Sequence, residues 1–226
     1  MLNNGTRRYL NAGLGVIRRW HAQESPSICE DRVADFDAIR HQLQTGDILL
    51  FSGRSLISRL IRLFTRGRWS HIGIIVRDVA SDDLFLWEAT SNNTISDVEF
   101  GHIPRGVQLV SLEEKLRSYN GIAAVRFLEG VERNAKMMKR FRWLFKRLRR
   151  APYRNYLVEY LNIGIRGNRR AANCAFCSQL VAEAYMRMRL LRLERPSAFY
   201  TPNDFAKDRS LPLKHGKLTA PMVLII

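Results

Sequence analysis

Runs of apolar residues bounded by polar or small ones predict a mixed set of short strands and amphipathic helices along this chain. Gly46-Asp47-Ile48-Leu49-Leu50-Phe51-Ser52-Gly53 predicts a strand over 47–52, and a helix is expected near 55–66. Trp69 to Val76 predicts a strand over 70–77, and Leu84 to Ala89 another over 84–89, with the polar stretch Arg77 to Asp83 as their hairpin loop. Further strands are expected at 107–110 and 121–128. Met137, Phe141, Leu144 and Leu148 fall at helical spacing, as do Leu180, Val181, Ala184, Tyr185 and Met188 on a helix over about 174–190. A short helix should follow Pro202. This order predicts an α+β domain: an antiparallel sheet or half-barrel with the later helix packed on one face.

At 226 residues and 46% apolar content, the chain should form one domain with a sizeable core. Residues 1–42 are expected to be a basic N-terminal accessory segment and residues 43–226 the main domain. In the former, Leu10, Leu14, Ile17 and Trp20 are interleaved with Arg7, Arg8, Arg18 and Arg19. Such a helix either packs on the domain or lies on a membrane or partner. The longest apolar stretches, such as Met222 to Ile226, are too short to span a bilayer, and residues 1–20 lack the features of a secretory signal. Three cysteines fit a reducing, intracellular setting rather than a disulfide framework. Cys174 and Cys177 form a CxxC spacing without a second pair, which leaves zinc short of ligands.

The net charge of +16 is unevenly spread. Arg133, Lys136, Lys139, Arg140, Arg142, Lys146, Arg147, Arg149 and Arg150 crowd one expected helix, and Arg54, Arg59, Arg62, Arg66 and Arg68 flank another. An excess of one sign this large implies an anionic neighbour: acidic lipid, an acidic protein surface, or nucleic acid contacted without sequence preference. Virion or membrane association follows as an expectation.

Cys177 opens the run Cys177-Ser178-Gln179-Leu180-Val181 at the expected helix start, with Asn173 as N-cap. A thiol there feels the partial positive charge of the helix terminus, which favours thiolate. On the hairpin, pairing Val76 with Asp83 sets His71 opposite Glu88. A carboxylate beside an imidazole fixes its tautomer and stabilises its cation. Cys177, His71 and Glu88 are therefore the candidate catalytic residues.

These motifs, in the order Gly46–Gly53, Trp69-Ser70-His71-Ile72-Gly73, Trp87-Glu88-Ala89-Thr90 and Phe176-Cys177-Ser178-Gln179-Leu180-Val181, resemble the circularly permuted branch of the NlpC-type papain-like cysteine hydrolases. That branch includes YiiX/YebB-like proteins, with poxvirus and lecithin:retinol acyltransferase-like relatives. Gly106-Val107, Pro152-Tyr153 and Thr201-Pro202-Asn203-Asp204 extend the resemblance to residues 43–208, while Gln179 departs from the glutamate common after Cys-Ser. The resemblance implies a permuted papain-like fold with Cys177 as nucleophile, His71 as base and Glu88 as orienting residue. It implies a hydrolase or acyltransferase acting on an amide or ester of a peptide, lipid or acyl-modified substrate. The chemistry calls for no metal or organic cofactor, and the backbone amide of Cys177 would be the oxyanion donor. The contrasting expectation is a non-enzymatic basic component of a virion or other large nucleoprotein assembly that keeps the fold.

Overall fold

The computed structural model describes residues 32–90, 94–101, 106–150, 172–207, 211 and 213–226. The expected accessory helix before residue 32, Cys29 and the Pro152-Tyr153 motif lie outside them. At the start of the described chain, β1 (Arg32–Asp35) leads into α1 (Phe36–Ile39), a single turn capped by the Asp35 carboxylate on the Asp37 amide. The apolar run from Ile48 then forms β2 (Ile48–Gly53), buried at every position. It is followed by α2 (Leu56–Thr65), which Ser55 caps through the Ser58 amide.

β3 (His71–Arg77) and β4 (Leu84–Thr90) make the expected hairpin, and β5 (Gly106–Ser111) pairs with β4. The chain continues through α3 (Leu112–Ser118), β6 (Gly121–Arg126), β7 (Leu128–Glu129) and α4 (Ala135–Arg150). After it come α5 (Ala172–Arg187), a 3-10 turn at Asp204–Ala206 where a short helix was expected, β8 (Lys217–Leu218) and β9 (Met222–Ile225).

Seven strands form one open sheet in the order β1-β9-β6-β2-β3-β4-β5, while β7 and β8 pair separately. Every pairing in the large sheet is antiparallel except β1 with β9. The apolar tail Met222 to Ile225 is thus a sheet strand, inserted between β6 and β1. Residues 32–39, before the expected boundary at residue 42, supply that parallel edge strand and the turn that seats Phe36 and Ile39 in the core.

Strand alternation divides the core into two layers. Ile48, Leu50, Ile72, Ile74 and Trp87 pack with α4 and α5 on one face. Leu49, Phe51, Ile75, Leu86 and Val110 pack with Phe36, Leu112 and Leu116 on the other. The result is an α+β fold with helices on both faces of a mostly antiparallel sheet. Met137, Phe141, Leu144 and Leu148 form the buried stripe of α4, with Phe141 edge-on to Trp87 at 5.6 Å between ring centres.

Candidate active site

His71 is the first residue of β3, and Phe51 of β2 is its cross-strand partner. Glu88 lies on β4 opposite Gly73, whereas pairing Val76 with Asp83 predicts it directly across from His71. The observed register differs by two residues. Two is the period of side-chain alternation, so His71 and Glu88 stay on one face and meet diagonally. Nε2 of His71 donates to Glu88 Oε2 at 2.6 Å.

Glu88 has no solvent exposure, yet its other oxygen, Oε1, accepts from Gln108 Nε2 at 2.7 Å and Lys115 Nζ at 2.5 Å. Burial alone would raise the Glu88 pKa. The Lys115 ammonium, and after it the His71 imidazolium, reverse this and hold the carboxyl down at about 2. Burial likewise opposes charge on His71, but the negative charges of Cys177 and Glu88, each also hydrogen-bonded to the ring, raise its pKa to about 9. With Nε2 on the carboxylate, Nδ1 is the nitrogen left for the sulfur.

Cys177 is buried on α5, which packs over β3 and β4. Its layer is that of Ile72 and Trp87, whereas alternation puts His71 and Glu88 on the opposite face. His71 and Glu88 therefore do not project straight at the helix that carries Cys177. The three side chains are brought together where β3 begins, at the end of the sheet. Here a ring on the first strand residue reaches a thiol coming from the other layer. The helix start also differs. α5 begins at Ala172, so Cys177 is its sixth residue and Asn173 lies within it rather than capping it. Alanines at 172 and 175 favour that extension. The Cys177 amide consequently falls inside the helical hydrogen-bond ladder, and the oxyanion role expected of it is not supported.

Three further residues complete the site. Gln108 and Lys115 hold Glu88, and Lys115 also lies over the Phe51 ring, 5.7 Å from its centre. The signal for Lys115 was present: it shares the face of Leu112 and Leu116 at helical spacing, an inward place for a lysine. Gln108 shares β5 with Leu109 and Val110, which are buried on opposite faces, so alternation carries no such signal there. Tyr119 hydrogen-bonds Ser70, and burial raises its pKa, so its hydroxyl remains a proton donor beside Cys177 and Glu88.

Asn203, from the Thr201-Pro202-Asn203-Asp204 motif, fixes the approach to His71. Its Oδ1 accepts from the Trp69 amide at 2.9 Å, and its Nδ2 donates to the Trp69 carbonyl at 3.0 Å and to Thr65 Oγ1 at 2.8 Å. Gly67 permits this approach: a Cβ there would lie 2.2 Å from Asn203 Cγ.

The basic residues divide. Arg133 precedes α4 and turns inward, its Nη2 2.8 Å from Asp47 Oδ1 and its Nε on the Thr45 carbonyl, so it is withdrawn from the expected basic face. Lys136, Lys139, Arg142, Lys146 and Arg147 are exposed and Arg140 half-buried, while the side chains of Arg149 and Arg150 lie outside the described set. Lys136, Lys139, Arg140, Arg187, Arg189 and Lys214 line a groove of about 770 Å³ that also includes Trp143. Arg147 and Arg187 both stack on that indole, at 5.2 and 5.0 Å from its centre.

Among the described residues, no group of three or more His, Cys, Asp or Glu is placed to hold a metal ion, and no helix is long and apolar enough to cross a membrane. No protein-family model matches the chain, and no curated protein matches it. Among solved structures it is similar to the crystal structure of the metalloprotein YiiX from Escherichia coli O157:H7, at 20% identity and a TM-score of 0.44, over 79% of this chain and 89% of that one.

Proposed function

We propose that the chain is a thiol-dependent hydrolase or acyltransferase in which Cys177 is the nucleophile, His71 the acid–base group and Glu88 its orienting partner. The observation that carries this is one imidazole bonded on one side to a fully buried carboxylate and on the other to a buried thiol. The thiol proton passes to His71, and the thiolate attacks the carbonyl carbon of an amide or ester. The tetrahedral adduct collapses to a thioester as the imidazolium protonates the departing amine or alcohol. Water then attacks the thioester, giving its proton to His71 and releasing the acid, or a second nucleophile accepts the acyl group. Glu88 keeps Nε2 protonated and stabilises the imidazolium, and Lys115 and Gln108 keep Glu88 ionised and aimed.

Alkylation by iodoacetamide across a pH series, with mapping of the modified residue, tests the assignment. Cys177 should react, Cys177→Ala should abolish that modification, and His71→Ala should displace the pH profile. Labelling that survives Cys177→Ala, or a profile indifferent to His71→Ala, would refute it.

A second reading is favoured by the groove beside α4, where six cations are gathered around Trp143. It is that this face binds a phosphate-rich polyanion without sequence preference, with or without catalysis at Cys177. The salt dependence of that binding is its test.

A further inference from the structure

α2 is inverted. Its inner side is polar: Arg62 is buried and donates from Nη1 to Ser52 Oγ at 2.8 Å, and Thr65 accepts from Asn203. Its outer side is apolar, with Leu56 76%, Leu60 53%, Leu63 71% and Phe64 74% exposed. These residues, at steps of four, three and one, form a single stripe along the helix. A core-packed helix does the reverse and hides its leucines. Arg62 cannot simply be exchanged for the leucines, because Ser52 and the His71 approach already engage the polar side.

The surroundings of the stripe are cationic. Between Asp47 and Asp78 the chain has no acidic residue and six arginines. Arg54, Arg59 and Arg66 are exposed beside the stripe. Arg66 closes the helix at φ 47, a left-handed conformation that a glycine would adopt at lower cost, and so keeps a guanidinium at the end of the apolar face.

We propose that α2 is a docking helix for an anionic phospholipid surface, its four large apolar side chains entering the acyl boundary and its arginines meeting the headgroups. Apolar insertion combined with basic flanks is how an interfacial helix binds a bilayer that it does not cross. A nucleic acid would leave the leucines in water, and an apolar protein groove would leave the arginines without counter-charges. Six residues after α2 the chain reaches His71, so docking brings the start of β3 close to the bilayer. The proposal is independent of whether Cys177 is reactive.

Co-sedimentation of the full chain with vesicles tests it, using phosphatidylcholine alone and phosphatidylcholine with phosphatidylserine in equal parts. The chain should bind the mixed vesicles. Leu63→Ser/Phe64→Ser should weaken that binding about tenfold or more with an unchanged melting temperature. Leu56→Ser, at the far end of the stripe, should weaken it less. Arg59→Glu/Arg66→Glu should reduce binding to mixed vesicles and not the residual binding to neutral ones. In Phe64→Trp, vesicles should shift the added indole's emission to the blue. Mixed-vesicle binding that is equal in the serine variant and the parent overturns the proposal. So does a parent dimer dissolved by the serine variant without vesicle binding, because a second copy would then cover the stripe. A serine variant that melts well below the parent, with no vesicle binding by either, also overturns it, since the stripe would then be covered from within the chain.

Discussion

Glu88 keeps its charge without solvent because side chains from three elements converge on it: His71 from β3, Gln108 from β5 and Lys115 from α3. Its pKa is about 2 in the folded chain against an ordinary 4.5, so the sign of the linkage is that of a depressed acid. The stability it contributes, about 3 kcal/mol, is fully present above pH 4.5 and is lost as the pH falls towards 2. Glu88→Gln removes the titrating group and leaves the buried Lys115 ammonium without its anion. Chemical denaturation should show a loss of about 3–5 kcal/mol at neutral pH and a shallower decline between pH 4.5 and 2. The His71 ring, which titrates near 9, should move down in the same variant, as read from its imidazole proton resonances. A His71 titration unmoved by Glu88→Gln would mean that the carboxylate does not support the imidazolium.

At the scale of elements, α2 and α4 show opposite solutions to the same composition. Both mix leucine and phenylalanine with arginine, two arginines in α2 and five in α4. α4 buries Met137, Phe141, Leu144 and Leu148 and turns its cations outward, whereas α2 buries Arg62 and exposes its apolar stripe. The cations of α4 repel one another unless an anion sits among them. Lys136→Glu/Lys139→Glu should therefore leave stability within about 0.5 kcal/mol, because both side chains are exposed. The same variant should abolish retention of duplex DNA, whose affinity for the parent should fall with salt at a log–log slope of about −0.9 per phosphate contacted. DNA binding with a flat salt response, or equal binding by the variant, would reduce the groove to a solvated face.

Across the whole molecule, the closing strand depends on one buried cation. Arg126, at the end of β6, has no solvent exposure. Its guanidinium donates to the carbonyls of Phe205 at 2.6 Å, Leu218 at 3.0 Å and Thr219, tying three points of the C-terminal segment to the sheet. Arg126→Met fills much of the volume but orphans those acceptors. It should cost about 3–5 kcal/mol in urea denaturation and speed amide exchange in β9. A neutral effect would show that water can replace the guanidinium there.

The amino-acid pattern by itself determined the local elements near the site: β2, the β3–β4 hairpin, the helix carrying Cys177 and the buried stripe of α4. Strong apolar runs and a single helical period leave few alternatives at those places. It also placed His71 and Glu88 on one face, because a register error of two residues preserves the face. Tertiary structure decided the remainder. Which residue of β3 faces Glu88 depends on the loop and on pairing with β2, not on the hairpin sequence. Met222 to Ile225 becomes a strand only because the gap between β6 and β1 accepts it. Arg133 looked like part of the basic helix until Asp47, far away in sequence, captured it. The polarity of α2 was equally hidden, since a helical period fixes a stripe but not the direction in which the stripe points. That direction follows from what lies beneath the helix, and here Ser52 and Asn203 select the polar side.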